Sequence, residues 1–223
     1  MFGTDGIRGF PNKGLFIKKN LTKIGYSFGI SLKKNNPLIT NVFISKDTRK
    51  SSTFIEENLI IGLNQAGINT IRLGILPTSS LSIFTNKYPY SAGIMVTASH
   101  NSFEYNGIKF INDKGEKISN KEEKQIEALF KKKKISLPLK TVNIEYPDSH
   151  KEYVSEIIKK FKNINLGKNK YCIDVSNGAS YLVTEKILKN FKQKFHIISK
   201  KPNGMNNNKK CGVEHIGKLS KYV

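Results

Sequence analysis

Four short stretches combine residue types that can act on an anionic substrate. In Val96-Thr97-Ala98-Ser99-His100-Asn101 a hydroxyl follows the apolar run 92–96, which reads as a strand buried on both faces. Open α/β sheets present ligands at the carboxyl ends of such strands, so Ser99 is a candidate nucleophile with His100 and Asn101 beside it. The plainer alternative is a loop whose hydroxyls satisfy backbone groups. A serine-hydrolase arrangement is disfavoured. There is no Gly-x-Ser-x-Gly turn, and an adjacent Ser-His pair rarely forms the nucleophile–base hydrogen bond, though distant histidines could partner the serine.

The second stretch is Gly3-Thr4-Asp5-Gly6-Ile7-Arg8-Gly9. Its glycines allow close backbone approach to an anion, Thr4 adds a hydroxyl and Arg8 a bidentate donor. An ordinary tight turn is the alternative. The third, Ser45-Lys46-Asp47-Thr48-Arg49, lies just past a strand-like run, where Asp47 and Arg49 could contact substrate or simply pair with each other. The fourth, Tyr105-Asn106-Gly107-Ile108-Lys109, sets Lys109 in an apolar strand. Facing inward, such a lysine would have a lowered pKa suited to proton transfer, and facing solvent it would be unremarkable.

The elements that must hold these residues alternate between helix and strand. Leu21, Ile24, Phe28 and Leu32 recur at helical spacing before a strand over 41–45. Ser51 or Ser52 can cap a second helix that ends at Gly67. A strand over 69–73, a short helix opened by Pro77, the strand over 92–96 and a hairpin built from 107–111 and the residues after Gly115 follow. A charged helix over 119–134 closes the unit. The pattern predicts an α/β layered sheet of mixed strand directions over 1–134. Residues 135–148 read as a linker. Residues 149–223 read as a helix, then one βαβ crossover (strand 171–175, turn at Asn177-Gly178, helix 179–191, strand 195–199), a polar loop over 202–210 and a few helical residues. One crossover leaves this second domain of the same type partial.

Composition narrows the function classes. The chain has 223 residues, enough for a sizeable core, and a formal charge of +21. That charge comes from 35 Lys and only three Arg, while Asn (23) and Ile (28) are also unusually abundant. All three abundant types have A/T-rich codons, so a biased genome accounts for the charge, and nucleic acid is not the expected partner. Base and phosphate recognition favour arginine's planar fork. Where lysine serves, this sequence uses lysine, so Arg8 and Arg49 are singled out, while Arg72 reads as a paired surface residue. No apolar run approaches the roughly 20 residues of a bilayer span. No secretory signal precedes the first glycine-rich stretch, so no membrane role is expected and the cytoplasm is the expected compartment. Cys172 and Cys211 lack metal-type spacing.

Residues 2–9, 92–110 and 171–179, with Pro202-Asn203-Gly204-Met205-Asn206, resemble the alpha-D-phosphohexomutase family. The Thr-Ala-Ser-His-Asn loop followed by Asn-Gly-Ile-Lys is the most specific part, and the opening Phe-Gly-Thr-Asp-Gly-Ile-Arg-Gly is similar to its bacterial members acting on hexosamine phosphates. The resemblance implies a phosphoserine at Ser99 that gives its phosphoryl group to a hexosamine 6-phosphate. The bisphosphate so formed turns over and returns its other phosphate, leaving the 1-phosphate. It implies Mg2+ on the phosphoserine oxygen, charge stabilisation and proton movement by Arg8 and Lys109, and a loop shaped by His100 and Asn101. Thr4, Asn101, Asp47 and Arg49 fall to substrate binding. Ser102 stands where the family commonly has proline, which removes one restraint from the loop.

The family holds magnesium with an Asp-Gly-Asp-Gly-Asp-Arg loop. The five aspartates here (5, 47, 113, 148 and 174) are scattered, and Ser99 alone supplies one ligand. The expectation is therefore the N-terminal part of a phosphohexomutase, truncated before the metal loop. The alternative is a remnant or sugar-phosphate-binding module that pairs with a separate C-terminal chain. A basic nucleic-acid binder is the weakest reading.

Overall fold

Alternating side-chain directions along the strands bury both faces of a six-stranded mixed sheet, and helices cover each face. The computed structural model describes residues 1–132, 141–167 and 169–222. A short strand β1 (Ile7–Gly9) is followed by α1 (Lys18–Asn35), β2 (Asn41–Lys46) and α2 (Ser52–Gln65). Then come β3 (Asn69–Ile75), α3 (Ser79–Lys87), β4 (Ser91–Val96) and β5 (Asn106–Ile111). α4 (Asn120–Lys131), β6 (Asn143–Glu145) and α5 (Ser149–Lys160) complete this layer. The strand order is β1-β5-β4-β2-β3-β6. β4, β2, β3 and β6 run parallel, whereas β5 is antiparallel to both β4 and β1. The mixed α/β sheet expected from sequence is present.

Period-two alternation sorts the strand residues between two cores. Val42, Ile44, Ile94, Val96, Ile108 and Phe110 pack with Ile24, Phe28, Leu59 and Ile126 on one face. Phe43, Met95 and Ile111 pack with Leu81, Phe84 and Tyr153 on the other. Each fully buried apolar side chain contributes roughly 1.5–3 kcal/mol. Met95 is opposite Lys109 in the β4–β5 register, so Lys109 points toward the second core. α4 starts with a capping box, Ser119 accepting from Glu122 N while Glu122 reaches back to the Ser119 N–H.

A smaller layer follows, with β7 (Lys170–Asp174) parallel to β8 (Lys194–Ile198) and α6 (Thr184–Asn190) between them. A 3-10 segment covers Val213–Tyr222.

Several local expectations are corrected. Ser51 occupies the cap position of α2 without capping it, because its hydroxyl accepts from Asn106 while that of Ser52 donates to Asp47. Beyond Gly115 there is a single bridge, Ile111 to Lys117, and no second hairpin strand, because Ser119 already begins the cap of α4. Residues 143–145, read as linker, form β6, which adds to the sheet edge beside β3 and carries the Arg72–Glu145 pair. The remainder of that linker up to residue 140, and the last residues of the 119–134 helix, lie outside the described residues. The helix expected over 179–191 starts only at Thr184, since turns over 178–183 place Val183 in the second core.

Candidate functional site

The main chain leaves β4 after Val96 and turns sharply. Thr97 Oγ1 donates to Asp47 Oδ2 (2.7 Å) and accepts from the Ser99 N–H (3.0 Å). Ser99 lies in the left-handed region at φ 59°. A non-glycine residue there costs on the order of 1–3 kcal/mol and persists where its surroundings over-determine it. Its hydroxyl is half-buried and has no hydrogen-bond partner among the described residues.

Arg49 supplies much of that over-determination. Buried to 2% exposure, it pairs through Nε with Asp47 Oδ2 at 2.8 Å. Nη1 donates to the carbonyls of Ser102 and Tyr105, and Nη2 to those of Ser99 (3.0 Å) and Asn101 (2.9 Å). All five guanidinium N–H groups are thereby committed. Asp47 is equally saturated: Oδ1 accepts from Arg49 N and Ser52 Oγ, Oδ2 from Arg49 Nε and Thr97 Oγ1. Of the two readings of this pair, the geometry shows the structural ion pair. Arg49 also holds the Ser102 carbonyl, so the loop is restrained there although position 102 is not proline.

Polar loops of the smaller layer close over the same turn. Asn208 Nδ2 lies 2.8 Å from the Ser99 carbonyl and 3.0 Å from that of Asn101. Asn207 Nδ2 donates to Thr48 Oγ1 (2.9 Å), and that hydroxyl donates to the Asn177 carbonyl. Lys50 N–H donates to the Gly204 carbonyl at 3.0 Å. Cys211 packs beneath Asn177, and burial pushes its thiol pKa up, so it stays a neutral packing group.

Ser99, Thr97, Asp47, Met95 and Lys109 line a cavity of about 190 Å³, together with Thr78, Gly178-Ala179-Ser180, Asn207 and Asn208. Lys109, 17% exposed, forms an ion pair with Asp5, so it lies between the buried and the solvent-facing alternatives. Arg8 is exposed and donates to Asn101 Oδ1 at 3.0 Å, which ties β1 to the serine loop. The glycines of that first stretch serve the backbone. Gly6 has φ 103°, and a Cβ there would lie 2.3 Å from the Ile108 carbonyl oxygen. Gly3 N–H is spent on the Gly6 carbonyl. Thr4 is exposed, its carbonyl takes the Lys117 ammonium, and it does not line the cavity. His100 is exposed and makes no hydrogen bond among the described residues.

Residues 1–136 match the family described as phosphoglucomutase/phosphomannomutase, alpha/beta/alpha domain I. The chain belongs to the phosphoglucomutase/phosphomannomutase family. A phosphoglucosamine mutase of Thermosipho africanus is 38% identical over 224 residues, 100% of this chain and 50% of the relative. One from Nitratiruptor is 34% identical over 230 residues, again 100% of this chain and 51% of the relative. A phosphoglucomutase/phosphomannomutase family protein from Burkholderia thailandensis shares the fold at TM-score 0.79 and 22% identity, over 93% of this chain and 45% of its own. The chain thus spans about half the length of the relatives it matches.

Magnesium, which this family generally uses, does not fit the groups present. Hard cations of this size want near-octahedral oxygen ligation. Among the described residues no three His, Cys, Asp or Glu side chains cluster, and the carboxylate on the cavity wall, Asp47, already accepts four hydrogen bonds. Ser99 remains as a single candidate ligand.

Sequence reasoning missed Asp5, Thr97, Asn177, Asn207 and Asn208 as site groups. The 202–210 stretch and the Asn177-Gly178 turn were visible as polar loops. Their docking on the Ser99 turn and the β2–α2 connection, far earlier in the chain, depends on tertiary structure, which no local pattern encodes.

Proposed function

We propose that this chain carries the phosphoserine half of a phosphohexomutase site, with Ser99 as the group that accepts and returns the phosphoryl. The relatives' names favour a hexosamine phosphate as the sugar, converted from 6-phosphate to 1-phosphate through a bisphosphate. The observation that carries the reading is the Ser99 hydroxyl, without a hydrogen-bond partner among the described residues, on a strained turn that lines one small cavity together with Lys109. In the loading step Ser99 Oγ bonds to a phosphorus of the bisphosphate, the bond from that phosphorus to the sugar oxygen breaks, and the serine proton passes to that oxygen. Transfer of this kind needs alignment and charge neutralisation above all. Lys109 supplies positive charge at the cavity wall, and Arg8 supplies it beside Asn101. Asp47 and Arg49 act as positioning residues that fix the loop. The expected compartment is the cytoplasm.

Incubation with glucose 1,6-bisphosphate followed by intact-mass measurement tests this. The wild-type chain gains one phosphoryl mass and Ser99→Ala gains none. An equal gain in Ser99→Ala removes Ser99 from the role. The poor fit for magnesium favours a second reading, in which this chain binds sugar phosphate but needs a separate C-terminal chain carrying the metal ligands. Phosphoryl uptake that appears only when the other half of a relative is added selects that reading.

A further inference from the structure

We propose that Asn208 is a positioning residue that holds the Ser99 turn together with Arg49, from a different loop, and so sets the rate of phosphoryl transfer at Ser99. The consequence for transfer rests on the function proposed above. The hold itself rests on geometry alone.

The carbonyls of Ser99 and Asn101 each receive two donors. Arg49 Nη2 reaches them at 3.0 and 2.9 Å from the β2–α2 connection, and Asn208 Nδ2 at 2.8 and 3.0 Å from the loop after β8. A carbonyl oxygen has two lone pairs, so both are fully used. Asn208 Nδ2 also lies 2.8 Å from Asn207 Oδ1. Three acceptor oxygens therefore surround this nitrogen, which fixes the orientation of the amide. A carboxylate of the same shape would set oxygen against oxygen.

Backbone strain gathers along the same seam. Ser99 (φ 59°), Ser176 (55°), Asn177 (50°), Asn208 (57°) and Lys210 (54°) are all left-handed. Asparagine adopts this conformation more readily than most residues, so position 208 presents its amide at low backbone cost. Releasing one of the two holds on the Ser99 carbonyl lets the turn relax and carries the hydroxyl off line. A misplacement of about 1 Å costs on the order of 100-fold in rate. Because Asn208 acts on the turn through main-chain carbonyls, the loss falls mainly on the rate at saturation.

Asn208→Asp keeps shape and left-handed tolerance while deleting the donor. With glucose 1,6-bisphosphate in single turnover, the first-order rate of Ser99 phosphorylation should fall about 100-fold. The half-saturating concentration should stay within a few-fold. A rate within threefold of wild type, or a change confined to half-saturation, overturns the proposal. Hydrogen exchange of residues 99–105, followed by mass spectrometry, reads the hold without any turnover. It should accelerate in Asn208→Asp but not in Asn203→Ala, whose amide serves its own turn. If the wild-type chain takes up no phosphoryl group, alone or with the other half of a relative, the function proposed above fails, and exchange alone decides this inference: unchanged protection overturns it. Should Asn208→Asp not fold, Asn208→Gly removes the amide with no backbone strain and is judged by the same two readouts.

Discussion

The two sheets meet at Ser99 on unequal terms. The six-stranded layer buries every residue of β4, and α1 and α2 present buried faces to it. In the two-stranded layer α6 buries none of its residues, and its strands are mostly half-buried or exposed. The smaller layer nevertheless supplies Asn177, Asn207 and Asn208 to the seam. An apolar frame therefore carries the Ser99 turn, and side-chain amides of the smaller layer hydrogen-bond to its carbonyls.

The largest test contrasts two ion pairs. Asp47–Arg49 is sealed, at 4% and 0% side-chain exposure, whereas Glu185–Lys189 on α6 is open, at 36% and 67%. Arg49→Met strands a buried carboxylate and takes the Arg49 donor from four loop carbonyls, two of which keep Asn208; this should cost about 3–5 kcal/mol in chemical denaturation. Lys189→Met should leave the midpoint unmoved, since solvent already screens that pair. Equal midpoints for the two variants would contradict the contrast. A smaller difference follows from the cores. Leu59→Ala, at a site with no solvent exposure, should cost about 2–5 kcal/mol, while Ile187→Ala on half-buried α6 should cost about 1 kcal/mol.

Sequence alone located β2, β3, β4, β5, β7 and β8 and the serine loop because their causes are local. An uninterrupted apolar run such as Ala92-Gly93-Ile94-Met95-Val96 permits little besides a buried strand, and a hydroxyl directly after it falls at the sheet's carboxyl edge. What escaped has non-local causes. Arg49 drew attention as one of three arginines in a lysine-rich chain, yet whether its fork would meet substrate or four carbonyls depended on how residues 99–105 fold back. β6 looked like linker because three exposed residues carry no periodicity. They become a strand only because β3 offers a free edge. The Ser51 and Ser52 hydroxyls satisfied a capping rule on paper, but Asn106 and Asp47 compete for them in three dimensions.

The smallest predicted effect concerns the joint between the larger sheet and the segment leading to the smaller one. Glu152 on α5, 15% exposed, accepts from the Tyr88 hydroxyl at 2.8 Å, from the Tyr146 hydroxyl, and from Lys87, whose ammonium also pairs with Glu156 at 2.7 Å. Burial pushes the Glu152 pKa up, but donation from Lys87, Tyr146 and Tyr88 outweighs it and holds the carboxyl below its ordinary range. The hydrogen bond to Glu152, with that to Glu156, raises Lys87, and the bond to Glu152 raises Tyr146. A folded carboxyl pKa below the unfolded one gives stability that is complete above the unfolded value of about 4.3 and is lost as pH falls through the folded value. The raised Lys87 and Tyr146 give stability present below their unfolded values of about 10 and lost only as pH rises beyond them. All three contributions are therefore intact at neutral pH, and only the glutamate's fades in acid. Glu152→Gln should cost about 1–2 kcal/mol at pH 7 and nothing further near pH 3, so its stability curve converges with that of wild type as the pH falls. Curves that stay parallel to pH 3 would show that the joint is held by Tyr153 and its apolar neighbours, which would make the seam between the layers less polar than the Ser99 loops suggest.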